Sequence, residues 1–121
     1  MKRKIYQQLQ DWKESEKGHV ALLIEGARRV GKSYIVEEFA KKEYRSYILI
    51  DFAHITKTMK RVFDDYLEDT PTFFQYLQTV SGTTLYERAS IIIFDEIQKY
   101  PRARQAIKHL VADGKYYFID T

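Results

Sequence analysis

The chain has 121 residues, a length that suits one domain with a single hydrophobic core. Hydrophobic residues make up 45% of it and charged residues 31%, a composition that is typical of folded globular proteins and excludes intrinsic disorder. The net charge of +3 is too small to indicate nucleic-acid binding by itself, although it is compatible with a polyanionic ligand, and the absence of cysteine excludes disulfides and thiolate metal sites.

The apolar runs of the chain are short, about half a dozen residues at most, whereas a membrane-spanning helix needs about 20. Met1 is followed by "KRK" and not by the apolar segment of a secretory signal. We therefore expect no membrane span and a cytoplasmic location.

The first half of the chain alternates helical and strand patterns. Residues 2–14 place apolar side chains at helical spacing, and "HVALLIE" (19–25) is a continuous apolar run that favours a strand buried on both faces. Residues 33–42 have helical periodicity with lysines at the end, and "SYILIDF" (46–52) reads as a second strand that closes on an aspartate.

The second half continues the alternation. Two helical patterns lie between residues 56 and 81, separated at Thr70-Pro71, where threonine can cap the second helix, and Gly82 is placed to end it. "SIIIFDE" (90–96) is a third strand, Pro101 opens a helix that Gly114 closes, and "KYYFID" (115–120) is a fourth strand. This order predicts a single α/β domain over residues 1–121, with a mainly parallel sheet and flanking helices.

A glycine-rich stretch joins the first predicted strand to the next helix. It carries two glycines with four residues between them, followed by lysine and serine, and consists of Gly26, Ala27, Arg28, Arg29, Val30, Gly31, Lys32 and Ser33. Glycine permits the backbone amides to turn inward around a phosphate, and the helix N-terminus adds further N–H groups and its dipole. Lys32 can reach the outer phosphates and the Ser33 hydroxyl can bind Mg²⁺, so the pattern predicts a nucleotide phosphate site.

An acidic pair follows the third predicted strand. Asp95 comes at the carboxyl end of the strand, where open parallel sheets bind ligands, and its carboxylate can hold Mg²⁺. Glu96 is placed to orient the attacking water or to accept its proton. Glu96 and Lys32 are the predicted catalytic residues.

These residues resemble a known family. Gly26 to Ser33 looks like a Walker A motif and Ile91 to Glu96 like a Walker B motif with a catalytic glutamate, a combination similar to AAA-superfamily P-loop ATPases. "YPRARQAIKHLVADGKYYFI" and "TFFQYLQTVSG" further resemble small prokaryotic AAA-type ATP-binding proteins that carry a separate C-terminal domain. The resemblance implies ATP and Mg²⁺ as ligands and ATP hydrolysis as the activity.

The resemblance also implies a P-loop core with strand order 5-1-4-3-2. Four of its strands are present, whereas the fifth strand, the helical lid and a trans-acting arginine finger have no counterpart, so "VALLIE" is expected to lie at a bare edge. Thr121 falls at or beside the position of the family's polar sensor residue. We therefore expect residues 1–121 to be the N-terminal part of an AAA-type ATP-binding domain whose gene continues, and this part to hydrolyse ATP slowly or not at all.

Other functions stay open at this stage. A GTP switch would be expected to use an Asn-Lys-x-Asp motif, and the chain has no asparagine. A phosphotransferase for small metabolites shares the glycine loop but does not usually need the Asp-Glu pair, while a non-catalytic nucleotide-binding module or a DNA-associated regulatory module would need no turnover. Self-association, and nucleic-acid binding through a C-terminal domain, are the partners to consider besides ATP.

Three further groups of residues have ordinary structural interpretations. A basic cluster after the acidic pair is expected to be a solvated helix face and consists of Lys99, Arg102, Arg104, Lys108 and His109. The histidines, His19, His54 and His109, show no metal-ligand spacing. The aromatic run Phe73, Phe74 and Tyr76 is expected to pack in the core.

Overall fold

The computed structural model describes residues 2–16, 22–23 and 32–121. Its helices are Lys2–Glu16 (α1), Lys32–Glu43 (α2), Lys57–Tyr66 (α3), Thr70–Ser81 (α4) and Pro101–Ala112 (α5). Its strands are Leu22–Leu23 (β1), Ser46–Asp51 (β2), Ser90–Asp95 (β3) and Tyr117–Asp120 (β4), and a 3-10 turn covers Ile97–Lys99. The predicted elements are confirmed; of the predicted first strand, only Leu22–Leu23 is described.

The four strands form one parallel sheet in the order β1-β4-β3-β2. This agrees with the predicted α/β P-loop core, in which the first and second strands flank the fourth and third. Because all strands run the same way, their carboxyl ends lie along one edge of the sheet. Among the described residues β1 and β2 are the two outer strands.

The sheet is covered on both faces, which explains its continuous apolar strands. Side chains alternate along each strand, so Ile91 and Ile93 of β3 pack beneath α1 and α2, while Ile92 and Phe94 pack with α3, α4 and α5. All four are buried. The result is a three-layer arrangement, helices–sheet–helices, that holds the ends of the strands in fixed positions.

The helix α4 shows which local signals set its ends. Gly82 adopts φ 72° and donates its N–H to the Gln78 carbonyl, as predicted for a helix-ending glycine. The prediction that Thr70 caps the start is wrong, because Asp69 is the cap and Thr70 is already in the helix. The Asp69 carboxylate accepts from the N–H and the hydroxyl of Thr72, and its charge suits the positive end of the helix dipole.

The aromatic run of α4 divides between core and surface. Phe73 and Phe74 are buried, as predicted. Tyr76 is 42% exposed and stacks on Tyr66 of α3 with the ring centroids 4.4 Å apart, so the prediction of core packing is wrong for this residue. Tyr76 lies on the side of α4 that faces α3, close to solvent, where the phenol hydroxyl can stay in contact with water. Across the described residues, every helix is too short or too polar to cross a membrane.

Candidate functional site at the carboxyl edge of the sheet

The carboxyl ends of the strands bring the predicted acidic residues to one edge. Asp95 ends β3 and lies in register with Asp51 at the end of β2. On the other side of β3, Phe94 is in register with Asp120, which is in register in turn with Leu23 at the end of β1. The strand that leads into the glycine loop is therefore separated from β3 by β4 alone, a distance of about 10 Å for two strand spacings.

Asp95 is held by a residue that is 26 positions away in the chain. The Thr121 hydroxyl donates to Oδ1 of Asp95 at 2.7 Å, and both side chains are half-buried or buried. The backbone fixes the same pair, because the Thr121 N–H donates to the Phe94 carbonyl at 2.8 Å. A carboxylate held in this way keeps one orientation without having to reorder when it binds a cation.

Glu96 has an unusual backbone conformation. Its φ of 60° and ψ of 40° lie in the left-handed region, which a non-glycine residue adopts at a cost of about 1 kcal/mol or more. Its N–H donates to the carbonyl of Thr121, the residue after β4, at 3.0 Å, and this bond helps to hold the conformation. Such strain is often found where a side chain must be aimed for function, and here it turns the chain sharply after β3 into the 3-10 turn.

Gln98 contacts the Glu96 side chain from within the 3-10 turn. Its amide Nε2 donates to Oε1 of Glu96 at 2.9 Å. Sequence analysis did not assign this contact, since a hydrogen bond between residues two apart depends on the left-handed turn at Glu96. The sequence does not indicate that turn, because the left-handed residue is a glutamate and not the glycine or asparagine that commonly adopts this conformation.

Asp51 is bonded differently although it occupies the matching position on β2. Its carboxylate accepts from the Ala53 N–H at 2.9 Å and lies 2.9 Å from Nδ1 of His54, both within the turn that follows β2. His54 itself is largely exposed. These contacts are local and close the turn, so they explain Asp51 without a ligand.

The remaining predicted site residues fall at or before the start of α2. Gly26 to Gly31 lie outside the described residues. Lys32 and Ser33 are the first two residues of α2, and the structure does not describe their side chains. The described ends of β1 and α2 are consistent with the predicted strand–loop–helix order, since residues 24–31 join Leu23 to Lys32.

The described part of the site suits Mg²⁺ in the way expected for a nucleotide-bound ion. Asp95 offers a carboxylate, the hard oxygen ligand that Mg²⁺ prefers. No cluster of three or more histidine, aspartate or glutamate side chains that could cage a metal occurs among the described residues. Mg²⁺ rarely uses such a cage, because it keeps its waters and binds through one or two carboxylates together with phosphate oxygens.

The basic cluster is exposed, as predicted. Arg102, Arg104, Lys108 and His109 lie on the outer side of α5, and Lys99 lies in the 3-10 turn before it. The buried side of α5 is Ala103 and Leu110. The positive side chains therefore face solvent and do not converge on Asp95 through packing.

Comparison with known proteins identifies the family. The family model of the AAA domain matches residues 18–121, which includes the whole sheet and the glycine-rich stretch. No curated protein and no solved structure matches the chain. The parallel order β1-β4-β3-β2 and the acidic pair at the end of β3 agree with this match, and the chain belongs to the AAA domain family, the AAA-type P-loop proteins.

Proposed function

We propose that the chain binds ATP with Mg²⁺ at the carboxyl edge of its sheet and that the full-length protein hydrolyses it. Membership of the AAA family supports a nucleotide-binding, ATPase-like function. The finer assignment rests on one observation: the Asp95 carboxylate and the Glu96 backbone N–H both bond to Thr121, the residue that follows β4, and β4 is the strand between β3 and β1. An acidic pair is thereby fixed one strand away from the loop expected to hold the phosphates.

In this proposal each residue has a separate task. The backbone amides of residues 26–31 and the Lys32 ammonium surround the phosphates, and the Ser33 hydroxyl and the Asp95 carboxylate hold the ion. Bound Mg²⁺ would neutralise the charge that develops on the β- and γ-phosphate oxygens. Thr121 keeps Asp95 in position, since its hydroxyl donates a hydrogen bond to Oδ1 of the carboxylate.

Glu96 acts on the attacking water. Its carboxylate orients the water and accepts a proton as the water oxygen bonds to the γ-phosphorus, while the bond from that phosphorus to the bridging oxygen breaks to leave ADP. The left-handed backbone and the Gln98 amide limit the orientations of this side chain. Fewer orientations mean less entropy lost when the water is engaged.

Titration calorimetry tests the binding part of this proposal. ATP should bind with Mg²⁺ and much more weakly after chelation with EDTA, and GTP should bind more weakly than ATP. Lys32→Ala should weaken ATP binding by about ten- to a hundredfold, because it removes a charged contact worth about 1.5–3 kcal/mol. Lys42→Ala is the matched control, since Lys42 is an exposed lysine in the last turn of the same helix.

Two results would contradict the binding proposal. ATP affinity that is the same in Lys32→Ala and Lys42→Ala would remove the phosphate role of the glycine-rich stretch. Equal affinity for GTP and ATP would argue against an ATP-specific protein.

A further inference from the structure

The outer edge of β2 is open in the described structure. β2 pairs with β3 along all six of its residues and with no other strand among the described residues. Its sequence, SYILID, contains none of the prolines or lysines that commonly block edge strands against pairing. The outward N–H and C=O groups of β2 can therefore accept another strand.

A groove of about 580 Å³ runs beside this edge. One wall is the end of α2 and the residue after it, with Glu37, Lys41 and Tyr44, and the other is the end of α4 and the segment after it, with Ser81 and Thr83. Ser46–Leu49 of β2 line the groove between them. Because residues of α2 and of the end of α4 line it on either side of the strand, it suits a single extended segment better than the edge of a second copy, whose own helices would meet these walls.

The residues of β2 give the groove an apolar side. Ile48 and Ile50 are buried against α3, α4 and α5. Tyr47 and Leu49 point to the other face, where they pack against α1 and α2 and stay partly exposed. A strand added to β2 would place every second side chain over Tyr47 and Leu49, so apolar residues are expected at alternate positions of the occupant.

The charges of the groove are unbalanced. Lys41 and Arg45 line it and are exposed, and neither forms an ion pair within the described part of the chain. Arg45 is held over the Tyr86 ring at 4.0 Å, which fixes its position. The acidic group of the groove, Glu37, accepts a hydrogen bond from the Tyr47 hydroxyl at 2.6 Å, and this bond raises the pKa of Tyr47 to about 12.

We propose that this groove, defined by Lys41, Arg45 and the β2 edge over Ser46–Leu49, binds an extended segment of a partner protein. The segment adds to β2 by backbone hydrogen bonds, carries apolar side chains at alternate positions, and has acidic side chains at the end that lies beside Lys41 and Arg45. The groove lies at the amino end of β2, away from the Asp95 edge, so the proposal does not depend on nucleotide binding.

The test uses a fluorescein-labelled peptide of about eight residues, with valine and threonine alternating and two glutamates at one end. Anisotropy gives its affinity, and amide shifts in ¹H–¹⁵N spectra of the labelled chain locate it. We expect shifts at Lys41, Arg45 and Ser46–Leu49. A peptide with lysines in place of the glutamates should bind about tenfold more weakly, and one N-methylated at alternate backbone amides should not bind.

Two double variants distinguish binding in the groove from a general effect of the protein's charge. The double variant Lys41→Glu and Arg45→Glu should bind the glutamate peptide about tenfold or more weakly than the unaltered chain does. Arg104→Glu with Lys108→Glu makes the same charge change on exposed α5 and should alter the affinity less than about twofold. Circular dichroism shows whether each variant is folded, and the N-methylated peptide gives an independent result on the unaltered chain.

Three outcomes would overturn the proposal. The first is that the glutamate peptide fails to bind, or binds with shifts elsewhere on the chain. The second is equal binding of the N-methylated and unmodified peptides, which would exclude strand addition. The third is a dimer in sedimentation that the Lys41 and Arg45 reversal abolishes, which would assign the groove to a second copy.

Discussion

The ends of β2 and β3 form different hydrogen bonds although their sequences are alike. Each strand is an apolar run that closes on an aspartate, and Asp51 and Asp95 are in register. Asp95 bonds across strands to Thr121, whereas Asp51 bonds within its own turn to Ala53 and His54. The difference follows from strand order, because in the described part of the chain β3 has a neighbouring strand on each side and β2 has one. Among the described residues, Thr121 after β4 reaches Asp95, and Asp51 bonds within its own turn.

Of the variants that test the β3 end, Glu96→Gln should have the largest effect on ATP turnover. It removes the proposed proton acceptor beside Asp95 and keeps the shape of the side chain. In the full-length protein we expect ATP turnover to fall by about a thousandfold, within the range of general-base catalysis, with ATP affinity nearly unchanged. Turnover and calorimetry on the same preparation measure both. Glu68→Gln, at an exposed glutamate between α3 and α4, is the control. Unchanged turnover in Glu96→Gln would leave a non-catalytic nucleotide-binding module as the better account.

Asp95→Asn and Asp51→Asn compare the two aspartates directly. Asp95→Asn should lower turnover by about a hundredfold and raise the Mg²⁺ concentration needed for half-maximal rate, since an amide is a poorer ligand for this ion. Asp51→Asn should leave both quantities within about twofold of the unaltered protein, because its partners close a turn. Equal losses of turnover in the two variants would show that Asp95 and Asp51 do not have different roles.

Thr121→Val tests the bond that distinguishes Asp95. Valine keeps the shape of threonine but cannot donate to Oδ1, so turnover should fall by about tenfold and the free energy of unfolding by about 1–3 kcal/mol. Thr121→Ser restores the hydroxyl and should recover most of the rate. Denaturant unfolding and turnover provide the two measurements. A valine variant as fast as the unaltered protein would mean that the hydrogen bond to Asp95 does not matter here.

Gln98→Ala should have the smallest effect. The loss of one amide that positions Oε1 of Glu96 should lower turnover by about two- to fivefold and leave ATP affinity unchanged. Gln105→Ala, at an exposed position of α5, is the control. Because Gln98 acts through Glu96, combining Gln98→Ala with Glu96→Gln should add no further loss. An additive loss would assign Gln98 a direct contact with the nucleotide.

Most of the fold could be predicted because its signals are local. Apolar runs indicate buried strands, and helix ends such as Gly82 follow from backbone conformation that glycine adopts easily. The error at Thr70 arose because Asp69 and Thr70 are both good caps, and the sequence does not say which of two adjacent residues leaves the helix. Periodicity alone does not predict the order of the strands in the sheet, and that prediction came from the resemblance to the AAA family.

The site was predictable only in part, for a physical reason. Asp95 and Glu96 are recognisable because they directly follow a buried strand. Their bonds to Thr121 depend on β4 lying next to β3, and the left-handed Glu96 is held by that same neighbour, so neither is encoded in the adjacent residues. The groove beside β2 likewise appears only when α2 and the segment after α4 are placed on either side of the strand.

Paramagnetic broadening by Mn²⁺–ATP in ¹H–¹⁵N spectra tests the central claim most directly, with Mg²⁺–ATP as the diamagnetic control. The proposed ion site lies at the carboxyl ends of the strands, and Ser90 lies about 16 Å from Asp95 along β3 because strands rise about 3.3 Å per residue. The amide signals of Asp95, Glu96 and Thr121 should therefore disappear first, while those of Ser46 and Ser90 persist. Broadening that is strongest at Ser46 and Ser90, or that is equal along β3, would contradict a nucleotide site at this edge.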